Sequence, residues 1–193
     1  MVNAWELLVK AKILQDHGED AGSVQQKDKD GMVIPSRSGN PRTITIGEAI
    51  GRVTLDQVLK DHLFALVEFR DNAIHLMNES PMLKLKVQEV GTASLRNYLE
   101  LAKEWFNMDL SRYNFYLMPM SFFHPHELQS YSINSEPEQH RNLLRFIGNL
   151  EAQQDQQEDR FSISLELKTE FVKSKMRYSP DDPNALPVKY DTE

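Results

Sequence analysis

Not one cysteine occurs in the 193 residues, which excludes disulfides and thiolate metal sites. No apolar run approaches the roughly 20 residues that a membrane-spanning helix requires. No basic, apolar, small-residue signal pattern opens the chain, and with the missing cysteines this leads to the expectation of a cytoplasmic protein. There is no phosphate-binding glycine loop and no nucleophile elbow. Positive charge is also in deficit: 22 Lys and Arg stand against 29 Asp and Glu, a net charge of -7. Such a chain repels nucleic acid at long range, so any nucleic-acid contact needs a local basic patch or is a short-lived encounter.

What is present fits a globular protein, with 40% hydrophobic and 26% charged residues. The length suits one domain with a real core, or one domain plus a small appendage, rather than two full domains. We expect a helical domain over residues 1–158 and a β strand with an extended tail over 159–193, packed on the same domain.

The chain starts in mid-pattern, with Trp5, Leu8 and Lys12 on one side of a first helix and Ala4, Leu7, Ala11 and Leu14 on the other. No capping residue precedes it, so a preceding segment is expected, and Gly18 supplies a stop. Glu19 to Arg42 reads as a polar loop with a tight turn at Asp30-Gly31. Asp28-Lys29-Asp30-Gly31 looks like the opening of a calcium loop, but the remaining ligands are absent. A short helix around Gly47 to Arg52 leads into a long one from Leu55 to near Asn78, with Pro81 after the stop.

Periodicity predicts a further helix over Ser94 to Phe106. Tyr113 to Phe123 is aromatic-rich and extended, an edge strand because of Pro119. Ser135-Glu136-Pro137-Glu138 has capping-box spacing before a helix with Leu143, Leu144, Phe146, Ile147 and Leu150 on its apolar side, and a solvated tail from Glu151 to Asp159 follows. From Phe161 to Leu167 apolar and polar residues alternate, the clearest strand signal, with Tyr113 to Phe123 as its expected partner in a β element reaching Phe171. Pro180, Pro183 and Pro187 mark an extended terminal segment.

The feature that bears most on function is Arg70-Asp71-Asn72-Ala73-Ile74-His75. At about 100° per residue, Leu55, Leu59, Leu66, Ala73 and Met77 share one stripe and Arg70 falls within the apolar arc. His75 lies roughly 140° away by the same geometry, so the two side chains belong to different faces.

An arginine, a polar residue and a histidine five positions on, late in a long amphipathic helix, resemble the signature of HEPN domains, helical modules of prokaryotic toxins and antiviral ribonucleases. Glu6-Leu7-Leu8-Val9-Lys10-Ala11 resembles an early HEPN helix, which marks Glu6 and Lys10 as supporting residues. Asn3 to Leu8, Arg70 to His75 and the stretch ending Met118-Pro119-Met120-Ser121-Phe122 look like a family of uncharacterised bacterial proteins with a HEPN-like core. That resemblance runs over roughly residues 1 to 180, and the family's members extend further at both ends.

The resemblance implies a mainly α fold, an antiparallel helical bundle with a small β element appended. It also implies a cofactor-free, metal-independent endoribonuclease of a toxin or phage-defence system, working as a homodimer on RNA, with a cognate antitoxin as a possible further partner. The residue types suit that chemistry. His75 exchanges a proton near neutral pH, Asp71 fixes its tautomer, Arg70 stabilises phosphate charge through a planar fork, and Asn72 orients either group. The angular separation keeps the two side chains from a single atom unless the arginine curls round, the helix ends nearby or a second copy supplies half the site, and a composite site at a two-fold interface would resolve it. The rival is a non-catalytic HEPN-like binding module, in which a buried Arg70 pairs with Glu6 and His75 is a surface residue near a helix end.

Other candidates carry less. His124-Pro125-His126-Glu127 offers ligand types for zinc without a third or fourth ligand at recognisable spacing, and reads as a polar loop. His17 and His140 read as surface residues and His62 as a satisfied core histidine. Trp5 and Trp105 sit among aliphatic neighbours as core residues.

Overall fold

The computed structural model describes residues 1–72, 80–110, 136–154 and 160–166. Among them are five α-helices and no sheet, so the protein is mainly helical. The strand expected at Tyr113 to Phe123, the loop histidines His124 and His126, and the proline-punctuated tail lie outside the described residues.

Helix α1 (Val2–Asp16) buries Trp5, Leu8, Val9 and Ile13, while Leu7 is left exposed. The buried side is therefore set by Trp5 and Leu8, and the alternative stripe through Ala4 and Leu7 faces water. The helix stops where expected, with Gly18 (φ +65°) and Glu19 (φ +64°) in the left-handed region. Helix α2 (Ile46–Arg52) opens with a full capping box, in which Thr45 Oγ1 accepts from the Glu48 N–H and Glu48 accepts from the Thr45 N–H.

Asp56 caps α3 (Gln57–Asp71), accepting from the Val58 N–H at 2.8 Å. Helix α4 runs Pro81–Phe106, starting thirteen positions before the Ser94 expected from periodicity. Ser80 is its N-cap and Pro81 its first residue, so Pro81 begins a helix instead of following one: its missing N–H is not needed at that position. Helix α5 (Glu138–Gln153) carries the expected apolar side, with Leu143, Leu144 and Ile147 buried. The helix starts later than the capping-box spacing at Ser135 to Glu138 places it, and Ser135 itself lies outside the described residues. Pro137 is the N-cap and no side chain caps the helix.

The main core gathers Trp5 and Leu8 of α1, Ile50 of α2, Leu63 of α3, Val90 of α4 and Ile147 of α5. A second cluster joins Val9 and Ile13 to Val24, Ile44, Ala49 and Val53. Helices α1 and α4 run in the same direction. Trp5 Nε1 donates to Ser94 Oγ (2.8 Å), and ten residues further along α1 Gln15 Nε2 donates to the Trp105 carbonyl (3.3 Å).

Residues 160–166 form a strap that runs antiparallel along α4, as Arg160 pairs with Glu100, Ser162 meets Asn97 and the Leu165 N–H donates to the Glu89 carbonyl (3.0 Å). The alternation holds in burial, since Phe161 and Ile163 are inside. Its backbone is paired differently from a strand. Among the described residues the strap has no neighbouring strand, and side chains of three helical elements take that place: the Ile163 carbonyl accepts from His62 (2.8 Å), the Ser162 carbonyl from Asn97 (2.7 Å) and the Phe161 carbonyl from Gln154 (3.3 Å).

Candidate functional site

The stripe through Leu59, Leu63 and Leu66 leads on to residue 70, but α3 ends at Asp71. Arg70 therefore falls in the last turn and emerges into solvent with 43% of its side chain accessible, correcting the expectation of an arginine inside the apolar arc. A cation there also meets the negative end of the helix dipole.

Arg70 Nε donates to Asp71 Oδ1 at 2.8 Å, and the terminal guanidinium nitrogens have no partner among the described residues. The ion pair between Arg70 and Glu6 is absent, because Glu6 pairs with Lys10 one turn along α1 (2.5 Å). Lys10 also donates to Thr43 Oγ1 at 2.9 Å, so Glu6 and Lys10 brace the base of the loop between α1 and α2.

Asn72 is committed to ending α3. Its backbone N–H and its Nδ2 both donate to the Glu68 carbonyl, at 3.0 and 2.8 Å. Arg70, Asp71 and Asn72 thus share the exposed end of one helix, with a forked cation facing outward and a carboxylate beside it. His75 lies outside the described residues.

The buried histidines behave differently from one another. His62 is fully buried, as expected of a core residue. Its Nδ1 serves the Ile163 carbonyl, while Nε2 has no partner among the described residues. Burial pushes its pKa down to about 4, against the opposing effect of the Ile163 hydrogen bond, so it is neutral near pH 7. Trp5 packs edge-on against it at 6.3 Å and against Tyr98 at 5.3 Å, which makes Trp5 a core residue, as expected. Trp105 is partly buried against the same core.

His140, expected at the surface, is buried. It occupies the stripe shared with Leu143, Leu144 and Ile147, a spacing visible in the sequence. Its Nδ1 lies 3.3 Å from Glu136 Oε2, while Glu136 Oε1 accepts from Ser80 Oγ at 2.7 Å. This buried polar cluster ties the start of α4 to the lead-in of α5. A second cluster surrounds Lys86, which meets Glu89 (2.6 Å) and Glu151 (3.0 Å), with Ser164 donating to Glu151. Burial opposes the lysine's charge, but the hydrogen bonds and charges of both carboxylates outweigh it and its pKa is raised.

Among the described residues no group of three or more His, Asp and Glu side chains could hold a metal ion, and no helix is long and apolar enough to cross a membrane. Residues 1–154 match the family described as Domain of unknown function (DUF3644). The chain belongs to that family. No curated protein and no solved structure matches the chain. The family's match takes in every described helix and ends at Gln154, just before the strap.

Proposed function

We propose that this DUF3644 chain is a HEPN-like, metal-independent endoribonuclease of a toxin or phage-defence system, acting as a homodimer. In this reading the 2'-hydroxyl of RNA attacks the adjacent phosphate, the bond to the 5'-oxygen breaks, and the products are a 2',3'-cyclic phosphate and a 5'-hydroxyl. His75 moves the proton, taking it from the attacking hydroxyl or giving it to the leaving oxygen. Arg70 stabilises charge on the phosphate, and two copies meeting at a two-fold axis bring the two side chains to one scissile bond.

The observation that supports this reading is the state of Arg70. It stands at an exposed helix end with its terminal nitrogens unengaged among the described residues, while Glu6, its expected structural partner, is occupied by Lys10. An arginine retained to hold helices together would be spent on a buried carboxylate.

Incubation of the purified chain with RNA in the presence of EDTA tests the proposal. Wild type yields cyclic-phosphate ends, and Arg70→Ala and His75→Ala, shown to be folded, yield none. Cleavage by folded His75→Ala overturns the mechanism, and RNA left intact by the wild type favours the non-catalytic binding module.

A further inference from the structure

Between Val24 and Ile44, both buried, the chain makes a long excursion in which residues 27–33 and 37–43 are all exposed. It is an ordered arm. The Gln26 N–H donates to the Arg42 carbonyl (2.8 Å), the Arg42 N–H to the Ile34 carbonyl (2.8 Å), and the Ile34 N–H to the Gln26 carbonyl (2.9 Å), closing a ring of backbone bonds through three extended segments. Antiparallel bridges Gln25–Thr43, Lys27–Val33 and Pro35–Pro41 continue it. Asp28 Oδ1 fixes one turn by accepting from the Asp30 and Met32 N–H groups, both at 2.9 Å. Gly31 (φ +82°) and Gly39 (φ +84°) supply left-handed backbone in the two turns.

Ordering each of these residues costs about 1–2 kcal/mol of backbone entropy, and the arm beyond its base buries no apolar core in return. Long excursions without helix or strand inside compact domains are characteristically functional.

The charges on the arm indicate which function. Residues 25–43 hold Lys27, Lys29, Arg37 and Arg42 against only Asp28 and Asp30, a local positive excess in a chain of net charge -7. None of the four cations is in an ion pair among the described residues, a state they share with Lys60, Arg96, Lys103 and Arg145. We propose that the arm is an RNA-backbone contact, in which Lys27, Lys29, Arg37 and Arg42 bind phosphates. The proposal rests on the ribonuclease reading for its choice of RNA.

Magnitudes favour it despite the acidic body. Extended chain at ~3.3 Å per residue carries the turn near Asp30 about 15 Å from the buried base. The screening length at physiological salt is about 8 Å, so Lys29, beside that turn, acts on a phosphate largely independently of the body's negative field, while Arg42, two residues from buried Ile44, stands closer to the body. The same geometry supplies the local basic patch that a lasting nucleic-acid contact needs on a chain of net charge -7.

The test is fluorescence anisotropy with a labelled single-stranded RNA across a salt series, using the full chain with His75→Ala to prevent cleavage, with and without Lys27→Gln, Lys29→Gln, Arg37→Gln and Arg42→Gln together. All four side chains are exposed, and matching thermal melts establish folding. The expected result is at least tenfold weaker binding in the arm variant. Each phosphate contact contributes roughly 0.7 to the log–log salt slope for single strands, so that slope also falls by about 2–3.

Equal affinity and equal slope overturn the proposal, as does a folded His75→Ala protein that binds no RNA. A shift from dimer to monomer in sedimentation without an RNA effect also overturns it and makes the arm a contact between copies. Arm-dependent binding by a protein that never cuts RNA upholds the arm and removes the nuclease. Cleavage with an unchanged KM in the arm variant of the otherwise wild-type chain does the reverse.

Discussion

The Asn97 carboxamide donates to the Ser162 carbonyl at 2.7 Å and accepts from the Ser162 N–H at 3.3 Å, so one side chain of α4 pairs both backbone groups of a strap residue as an adjacent strand would. Asn97→Ala removes the partner of both backbone groups of this half-buried residue. Each buried unpaired group costs about 1–3 kcal/mol, so urea denaturation should show a loss of that order or somewhat more. A loss below about 0.5 kcal/mol, the range of ordinary surface substitutions, would show that water replaces the pairing.

His62 gives a pH dependence of known sign. Its folded pKa of about 4 lies below the ordinary value of 6.5, so between these limits the unfolded chain binds the proton and the folded chain does not. Its contribution to stability is complete above pH 6.5 and declines as pH falls toward 4, by roughly 3 kcal/mol at about 1.4 kcal/mol per pKa unit. Denaturation midpoints of wild type and His62→Gln at pH 7 and pH 4.5 check this. The wild type should lose more stability on acidification than the variant does.

Arg70→Ala should leave stability within about 0.5 kcal/mol of wild type, because its ion pair with Asp71 is solvent-exposed and joins adjacent residues. Thermal melts decide the matter. A loss of roughly 3–5 kcal/mol, the cost of breaking a buried pair, would revive the structural reading of this arginine.

Trp5→Phe removes the 2.8 Å bond to Ser94 Oγ while keeping an aromatic ring against His62 and Tyr98. Ser94 is fully buried, so the variant should lose about 1–3 kcal/mol in denaturant titration. Trp5→Phe combined with Ser94→Ala should recover part of that loss, since no hydroxyl is then left without its donor.

Local chemistry was legible in the sequence where the chain satisfies itself within a few residues. The α1 stop at Gly18, the turn at Asp30-Gly31, α2 and the end of α4 at Phe106 all follow from nearest-neighbour patterns. The same kind of pattern misled where a distant partner intervened. Thr45 to Glu48 forms its capping box, whereas α5 starts only after Pro137, later than the spacing at Ser135 to Glu138 places it, and the Glu136 carboxylate beside it is held by Ser80 from another part of the chain. The strap's alternation was readable, but not the fact that His62, Asn97 and Gln154 take the place of a strand. Of the candidate site, the residue types at Arg70 to Asn72 were visible. Their exposure was not, because it depends on α3 ending at Asp71. The ring within the arm had no signature either, since Pro35 and Pro41 flank segments joined only by long-range backbone bonds.

That ring has a consequence for behaviour at high concentration. An extended hairpin of this length with Met32 and Val33 bare would offer a row of open donors and acceptors on which another chain could template. At Gln26, Ile34 and Arg42 each segment instead gives its N–H to one neighbour and its carbonyl to the other, so at that level the arm has no outermost strand. An exposed apolar tip is thereby carried on a stalk that resists edge-to-edge polymerisation.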